Sequence, residues 1–256
     1  MYPMKTRIRL RLFAVLFWLL VWEGLSLLVA KPLLLPSPAA VLVRFAALAL
    51  TARFWGTVGL TLLRILCGAL AGTLLGIVLA AGTSRFRVLN ALVSPLLTVI
   101  KATPVVSFII LVLLWAGRDF VPSLIVILMV LPVVWSNVSA GIAGCDRQLL
   151  ECARVFRFSR RMKLRRLYLP SVLPHLLSAC RSALGLAWKA GVAAEVLTVP
   201  AVSIGKMLYE SKLYLETTEL FAWTLAVIVC SLVIEKVLTV WMTRLAGKLS
   251  GGRIGV

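Results

Sequence analysis

Leu149–Pro170, LLECARVFRFSRRMKLRRLYLP, is the long polar stretch of a chain that is otherwise nearly continuous hydrocarbon. Glu151 is its one acid, set against Arg154, Arg157, Arg160, Arg161, Lys163, Arg165 and Arg166. Apolar residues recur at helical spacing, at Leu149, Ala153 and Phe156 and again at Leu164, Leu167 and Tyr168. The pattern predicts a short helix, a turn at Phe158–Ser159 with Ser159 as N-cap, and a second helix stopped by Pro170. A basic amphipathic hairpin between two apolar segments is a docking surface or lies on the membrane.

The rest of the composition decides the class. Of 256 residues 61% are apolar, and the mean hydropathy is +1.03, which places the chain among membrane proteins. A net charge of +19 would suggest nucleic acid in a soluble protein. Here the cations sit mostly in short loops between apolar spans, so the bilayer is the partner and nucleic acid is not. Cys67, Cys145, Cys152, Cys180 and Cys230 form no CxxC pair, and the odd number argues against a disulfide framework. His175 has no metal-ligand neighbour and reads as an interfacial residue at the start of a span.

Six spans are expected in one domain covering 1–256. The first, Leu12–Ala30, carries Glu23; its basic start admits a signal peptide, but the apolar run is long for one, and an uncleaved span is preferred. An interfacial segment, Lys31–Gly56, leads to a second span, Thr57–Ala81, in which Gly68, Gly72 and Gly76 share one face and permit close packing. A turn over Gly82–Asn90 precedes a third span, Ala91–Trp115, with Lys101 and Pro104 inside it. The fourth runs over Pro122–Ile142 with Pro132 and Asn137, the fifth over Pro174–Val199 with Arg181, Lys189 and Glu195, and the sixth over Leu220–Leu245. Each is long enough to cross a hydrocarbon core of ~30 Å.

Charge fixes an expected orientation. Lys5, Arg7, Arg9, Arg11, Arg85, Arg87, Arg147, the hairpin cations, Arg244, Lys248 and Arg253 fall on one side. Lys31, Arg44, Arg53, Arg118, Lys206 and Lys212 fall on the other. The positive-inside rule then puts both termini and the hairpin in the cytoplasm.

Glu151-Cys152-Ala153 followed at family spacing by Leu169-Pro170 resembles the EAA loop of ATP-binding-cassette importer permeases. Leu35-Pro36-Ser37-Pro38, Lys101-Ala102-Thr103-Pro104, and Gly185-Leu186-Ala187-Trp188 through Ala193-Ala194-Glu195 look like the nitrate/sulfonate/taurine branch. Cys152 replaces the family's first Ala, and Arg157 stands where its Gly turns the backbone with positive φ. The resemblance implies a type I importer permease fold, with a coupling loop over about 144–172. It also implies two ATPase subunits, a second permease copy (a heterodimer remains open) and an extracytoplasmic solute-binding protein. By position, Glu151 would make polar contacts in the ATPase cleft while Ala153 and Phe156 pack there; Cys152, Arg157, Leu169 and Pro170 complete the loop.

No GxxxxGK followed by Ser or Thr occurs, so the chain has no phosphate-cradling loop, and ATP would be bound and hydrolysed by a partner. No cofactor or metal is expected. Ionisable residues at membrane depth point to a pathway. Lys101 lies ~17 Å and Lys189 ~22 Å along their helices, and such ammonium groups would attract nitrate, a sulfonate or bicarbonate. A static pair of either lysine with Glu23 or Glu235 is the competing expectation. Thr103, Pro104, Asn137 and Trp188 are further pathway candidates.

An intramembrane enzyme is excluded by the placement of Asp119 and Asp146 in opposite loops and by the single histidine. A thiamine-precursor pyrimidine remains an alternative substrate. A membrane scaffold that docks an ATPase without its own pathway is the rival from another class.

Overall fold

A computed structural model describes residues 4–249. Arg253, counted above with the cytoplasmic cations, lies outside them. The described chain is helical throughout: α1 (Met4–Val29), α2 (Pro38–Ala49), α3 (Ala52–Arg85), α4 (Arg87–Ala102), α5 (Val105–Leu113) and α6 (Val121–Ala143) come first. The hairpin follows as α7 (Arg147–Val155) and α8 (Arg160–Lys163), then a π-helical turn (Leu164–Tyr168), α9 (Leu169–Thr198), α10 (Ile204–Leu213) and α11 (Thr217–Leu249).

Three helices are long and apolar enough to cross a membrane, α3, α6 and α11, and the α4–α5 pair makes a fourth if taken as one broken span. The described apolar part of α1, Phe13–Val29, is shorter. α9 has the length, at 30 residues, but Arg181, Lys189, Glu195 and its serines dilute its apolar character. The third span departs from expectation: α4 and α5 meet at 105°. The residue before a proline is driven to extended backbone, and Thr103 sits at φ −80°, ψ 133°. Pro104 follows at φ −57°, ψ 135° and supplies no N–H. The helix therefore ends at Ala102 and restarts at Val105.

The second departure is at Pro170. No helix stops there; the chain stays helical from Arg160 to Thr198. An α-helix would set the Pro170 ring against the Arg166 carbonyl. The turn before it widens instead, Leu169 N–H donating to the Leu164 carbonyl five residues back, and Pro170 enters the first turn of α9. Widening by one residue accommodates the ring at the cost of a local bulge.

α6 is the centre of the bundle, held between α3 and α9. Val126, Val130 and Val134 are all buried on its α3 side. They meet Gly68, Gly72 and Gly76, and a Cβ at Gly68 would lie 2.7 Å from the Ser123 carbonyl oxygen. The glycine stripe thus does what its spacing promised, bringing backbones close where lipid supplies no hydrophobic drive. Ala179, Ala183 and Ala187 of α9 are buried by the same logic. At the end away from the hairpin, α2, α10 and the start of α11 gather. Arg44 pairs there with Glu219, and the Phe54 and Trp223 rings stack at 5.1 Å.

Candidate functional site: the basic hairpin and the polar groups of the bundle

Helix α7 opens on Asp146, whose Oδ1 accepts from Gln148 N–H at 2.8 Å. It closes in a Schellman motif: Phe158 N–H donates to the Ala153 carbonyl at 2.9 Å and Arg157 N–H to that of Arg154 at 3.0 Å. That closure requires a left-handed residue, and Arg157 provides it at φ +49°. The backbone thus adopts the turn that glycine would favour. Ser159 Oγ then accepts from Met162 N–H at 3.3 Å and starts α8, as its position predicted.

The expected coupling residues separate into two groups. Glu151, Cys152, Phe156 and Arg157 are exposed; Phe156 is 73% exposed, and Val155 beside it equally open. Leu169 and Pro170 are exposed on the first turn of α9. Ala153 is 1% exposed, so it fills the turn and offers no surface, contrary to its expected role. Glu151 takes part in none of the ion pairs found among the described residues.

The pathway candidates are scattered. Lys101 lies in the last turn of α4, where a cation suits the helix dipole, and its Nζ lies 5.9 Å from the centre of the Trp135 ring, a cation–π contact. Trp135 Nε1 donates to Thr83 Oγ1 at 2.9 Å. Thr103 Oγ1 and Asn137 Nδ2 each donate to a carbonyl one turn back, Val99 and Val133. Pro104 is exposed at the break. Trp188 is buried and donates to the Val227 carbonyl at 3.2 Å, which anchors α9 to α11. Lys189, its neighbour, points the other way. It lies on an exposed stripe of α9 with Ser178, Ser182, Gly185 and Ala193, a face of small and polar groups poorly suited to lipid.

The expected static pairs do not form. Among the described residues the ion pairs are Arg44–Glu219, Arg64–Glu195 and Lys206–Glu210. Glu235 instead faces Arg181 across a cleft of about 120 Å³ between α9 and α11. His175 lies inside α9, past its first turn, and packs beside Gly141 of α6.

A buried polar cluster escaped the sequence reading. Glu195 is 0% exposed. Its Oε1 accepts from Arg64 at 2.9 Å, and its Oε2 from Thr61 Oγ1 at 2.9 Å and Gly205 N–H at 3.3 Å. Thr61 Oγ1 accepts from Ile204 N–H at 3.0 Å, and Arg64 also donates to the Val202 carbonyl at 3.0 Å. Three elements, α3, α9 and the start of α10, are thereby locked together. Arg64 was visible as a cation inside an apolar span; its partners were not.

Residues 72–251 match the family model described as binding-protein-dependent transport system inner membrane component. The putative aliphatic sulfonates transport permease protein SsuC of Bacillus subtilis is 28% identical over 205 residues, covering 79% of this chain and 74% of that protein. The taurine transport system permease protein TauC of Escherichia coli is 24% identical, over 91% of this chain and 87% of its own. The bicarbonate transport system permease protein CmpB of Synechococcus elongatus is 27% identical over 62% of this chain and 57% of its own. Among solved structures, an amino acid ABC transporter with histidines superposes with a TM-score of 0.63 at 18% identity, over 79% of this chain and 96% of that one. The methionine transporter MetNI, inward facing, gives 0.54 at 15% identity over 76% and 93%. These two establish the likeness of fold. With the family model spanning most of the chain, the protein belongs to the binding-protein-dependent transport system inner membrane component family, the permeases of ATP-binding-cassette importers.

Proposed function

We propose that this permease carries a small organic or inorganic anion, sulfonate-like or bicarbonate-like, and couples to its ATPases through residues 149–170. The observation that carries the coupling is the geometry of the hairpin. A capped helix projects from the bundle with Glu151 unpaired among the described residues and Val155 and Phe156 open to solvent. Exposed apolar side chains beside an unpaired acid on a rigid, capped helix are what a cleft in a partner subunit can seat. The continuous helix from Arg160 to Thr198 gives a mechanical route from that surface into the bundle.

The anion reading rests on Lys101 and Lys189, and on relatives named for aliphatic sulfonates, taurine and bicarbonate. Two such permeases, two ATPases and an extracytoplasmic binding protein would form the transporter, with both termini and the hairpin cytoplasmic and six spans per subunit. Transport would follow as the paired bundles rock between outward- and inward-open states.

Co-purification tests the coupling. Glu151→Ala and Phe156→Ala should insert normally yet recover several-fold less ATPase and lose uptake of labelled alkanesulfonate or bicarbonate in step. Full ATPase recovery and full uptake in both variants would remove the hairpin from the coupling role.

A further inference from the structure

A groove of about 530 Å³ opens between α3, α6 and the joint of the π-helical turn with α9. Its floor is hydrocarbon, from Ile77, Ala81, Val138 and Ile142, and Leu164 and Tyr168 of the π-helical turn line it too. Its remaining polar members are Ser84 and Arg85, two turns beyond Ile77 on α3 and so at the hairpin end. α3 has 34 residues, ~51 Å of helix, against a hydrocarbon core of ~30 Å. Its last turn therefore reaches the headgroup layer while Ile77 stays among the acyl chains and Ala81 lies at the boundary.

The charge that lines the groove is of one sign, that of Arg85. Arg85 belongs to none of the ion pairs among the described residues; its guanidinium rests 5.7 Å from the ring centre of Phe86. Arg87, Arg165 and Arg166, close by in sequence, are exposed, and no acid lines the groove. Tyr168 is a residue type favoured at the boundary between hydrocarbon and water. We propose that this groove binds an anionic phospholipid from the leaflet on the hairpin side, acyl chain along Ile77, Ala81 and Val138, phosphate at Arg85. The two-part lining selects that occupant: an apolar channel alone accepts any chain, and the unopposed guanidinium adds the preference for negative headgroups. Its position matters because the same lipid would brace the π-helical turn, through which the hairpin joins α9. The proposal needs only that the chain spans a membrane, so it stands apart from the choice of substrate.

Native mass spectrometry of the full-length chain, titrated with phosphatidylglycerol or phosphatidylcholine of matched chains, tests it. The expected result is preferential retention of phosphatidylglycerol, weakened about fivefold by Arg85→Gln, the value of one basic residue at a membrane surface. Ala81→Phe, which fills the groove from an exposed position, should lower retention of both lipids. Arg53→Gln, at the opposite end of α3, should change neither. Equal retention of the two lipids by the unaltered chain would overturn the proposal. So would an Arg85→Gln chain that folds and retains phosphatidylglycerol fully, or an equal loss in Arg53→Gln. A disulfide-linked dimer formed by Ala81→Cys would show that a second copy covers the groove instead, and would also overturn it.

Discussion

Arg64 of α3 and Glu195 of α9 meet at 2.9 Å inside the bundle, 131 positions apart in the chain. The carboxylate has no solvent contact, so its desolvation must be offset by the guanidinium, Thr61 and Gly205 together. Removing one partner leaves the other stranded. Arg64→Met should therefore destabilise the fold by about 3–5 kcal/mol, seen as a lower melting midpoint in detergent. Arg64→Met combined with Glu195→Gln should recover most of the loss, because a neutral amide still reaches Thr61. A double variant as unstable as the sum of its singles would contradict the pairing.

Gly205 belongs to the same cluster for a different reason. A Cβ there would sit 2.3 Å from Glu195 Cβ and 2.4 Å from its carbonyl carbon. Backbone cannot yield as a flexible side-chain tip does, so Gly205→Ala should pry α10 from α9. Amide exchange across 199–213 should then accelerate at least tenfold while α6 stays protected. Gly185→Ala, with open space around it, should leave exchange unchanged; a Gly205→Ala chain that behaves the same way would refute the close approach.

Arg157 holds a left-handed conformation at φ +49°. For an L-residue with a side chain that costs about 1–2 kcal/mol, whereas glycine there costs about 0.5–1 kcal/mol in lost backbone freedom. The difference favours Arg157→Gly by roughly 0.5–1 kcal/mol. The hairpin should open less often, and chymotryptic cleavage at Phe156 and Phe158 should slow about two- to fivefold. Faster cleavage would mean that the arginine side chain stabilises the turn by contacts of its own.

Local chemistry was legible in the sequence where it acts within a turn or two. Ser159 caps α8, the glycine stripe packs α3 on α6, and the position of Arg157 adopts positive φ. Proline was ambiguous. Pro104 breaks a helix by 105°, Pro170 is absorbed by a widened turn, and Pro132 lies within α6. The outcome depends on whether neighbours leave space for the displaced carbonyl, which no single residue reveals. Ala153 looked like a contact residue and is a turn filler. The Arg64–Glu195 pair was illegible because pairing across the bundle depends on helix rotation and crossing, set by the glycines and valines of other segments. The lysines, for the same reason, could not be assigned partners in advance.

Lys189 can now be tested with one fewer competing explanation. It is exposed on the small, polar stripe of α9 and forms no ion pair with Glu23 or Glu235 among the described residues. Lys189→Met therefore strands no carboxylate, and stability should change by no more than about 0.5 kcal/mol, as for other uncoupled surface positions. If the stripe faces the solute, the lost ammonium removes a charged hydrogen bond of about 1.5–3 kcal/mol. The KM for anion uptake should rise roughly ten- to a hundredfold. Lys101→Met should act more weakly on uptake, since Lys101 is held over Trp135 at 5.9 Å and loses about 0.5–1 kcal/mol of cation–π attraction instead. Adding Glu235→Gln to Lys189→Met should change nothing further, which separates the pathway role from hidden pairing. Normal assembly with undiminished anion uptake by Lys189→Met would end the case for that lysine as the anion-attracting group.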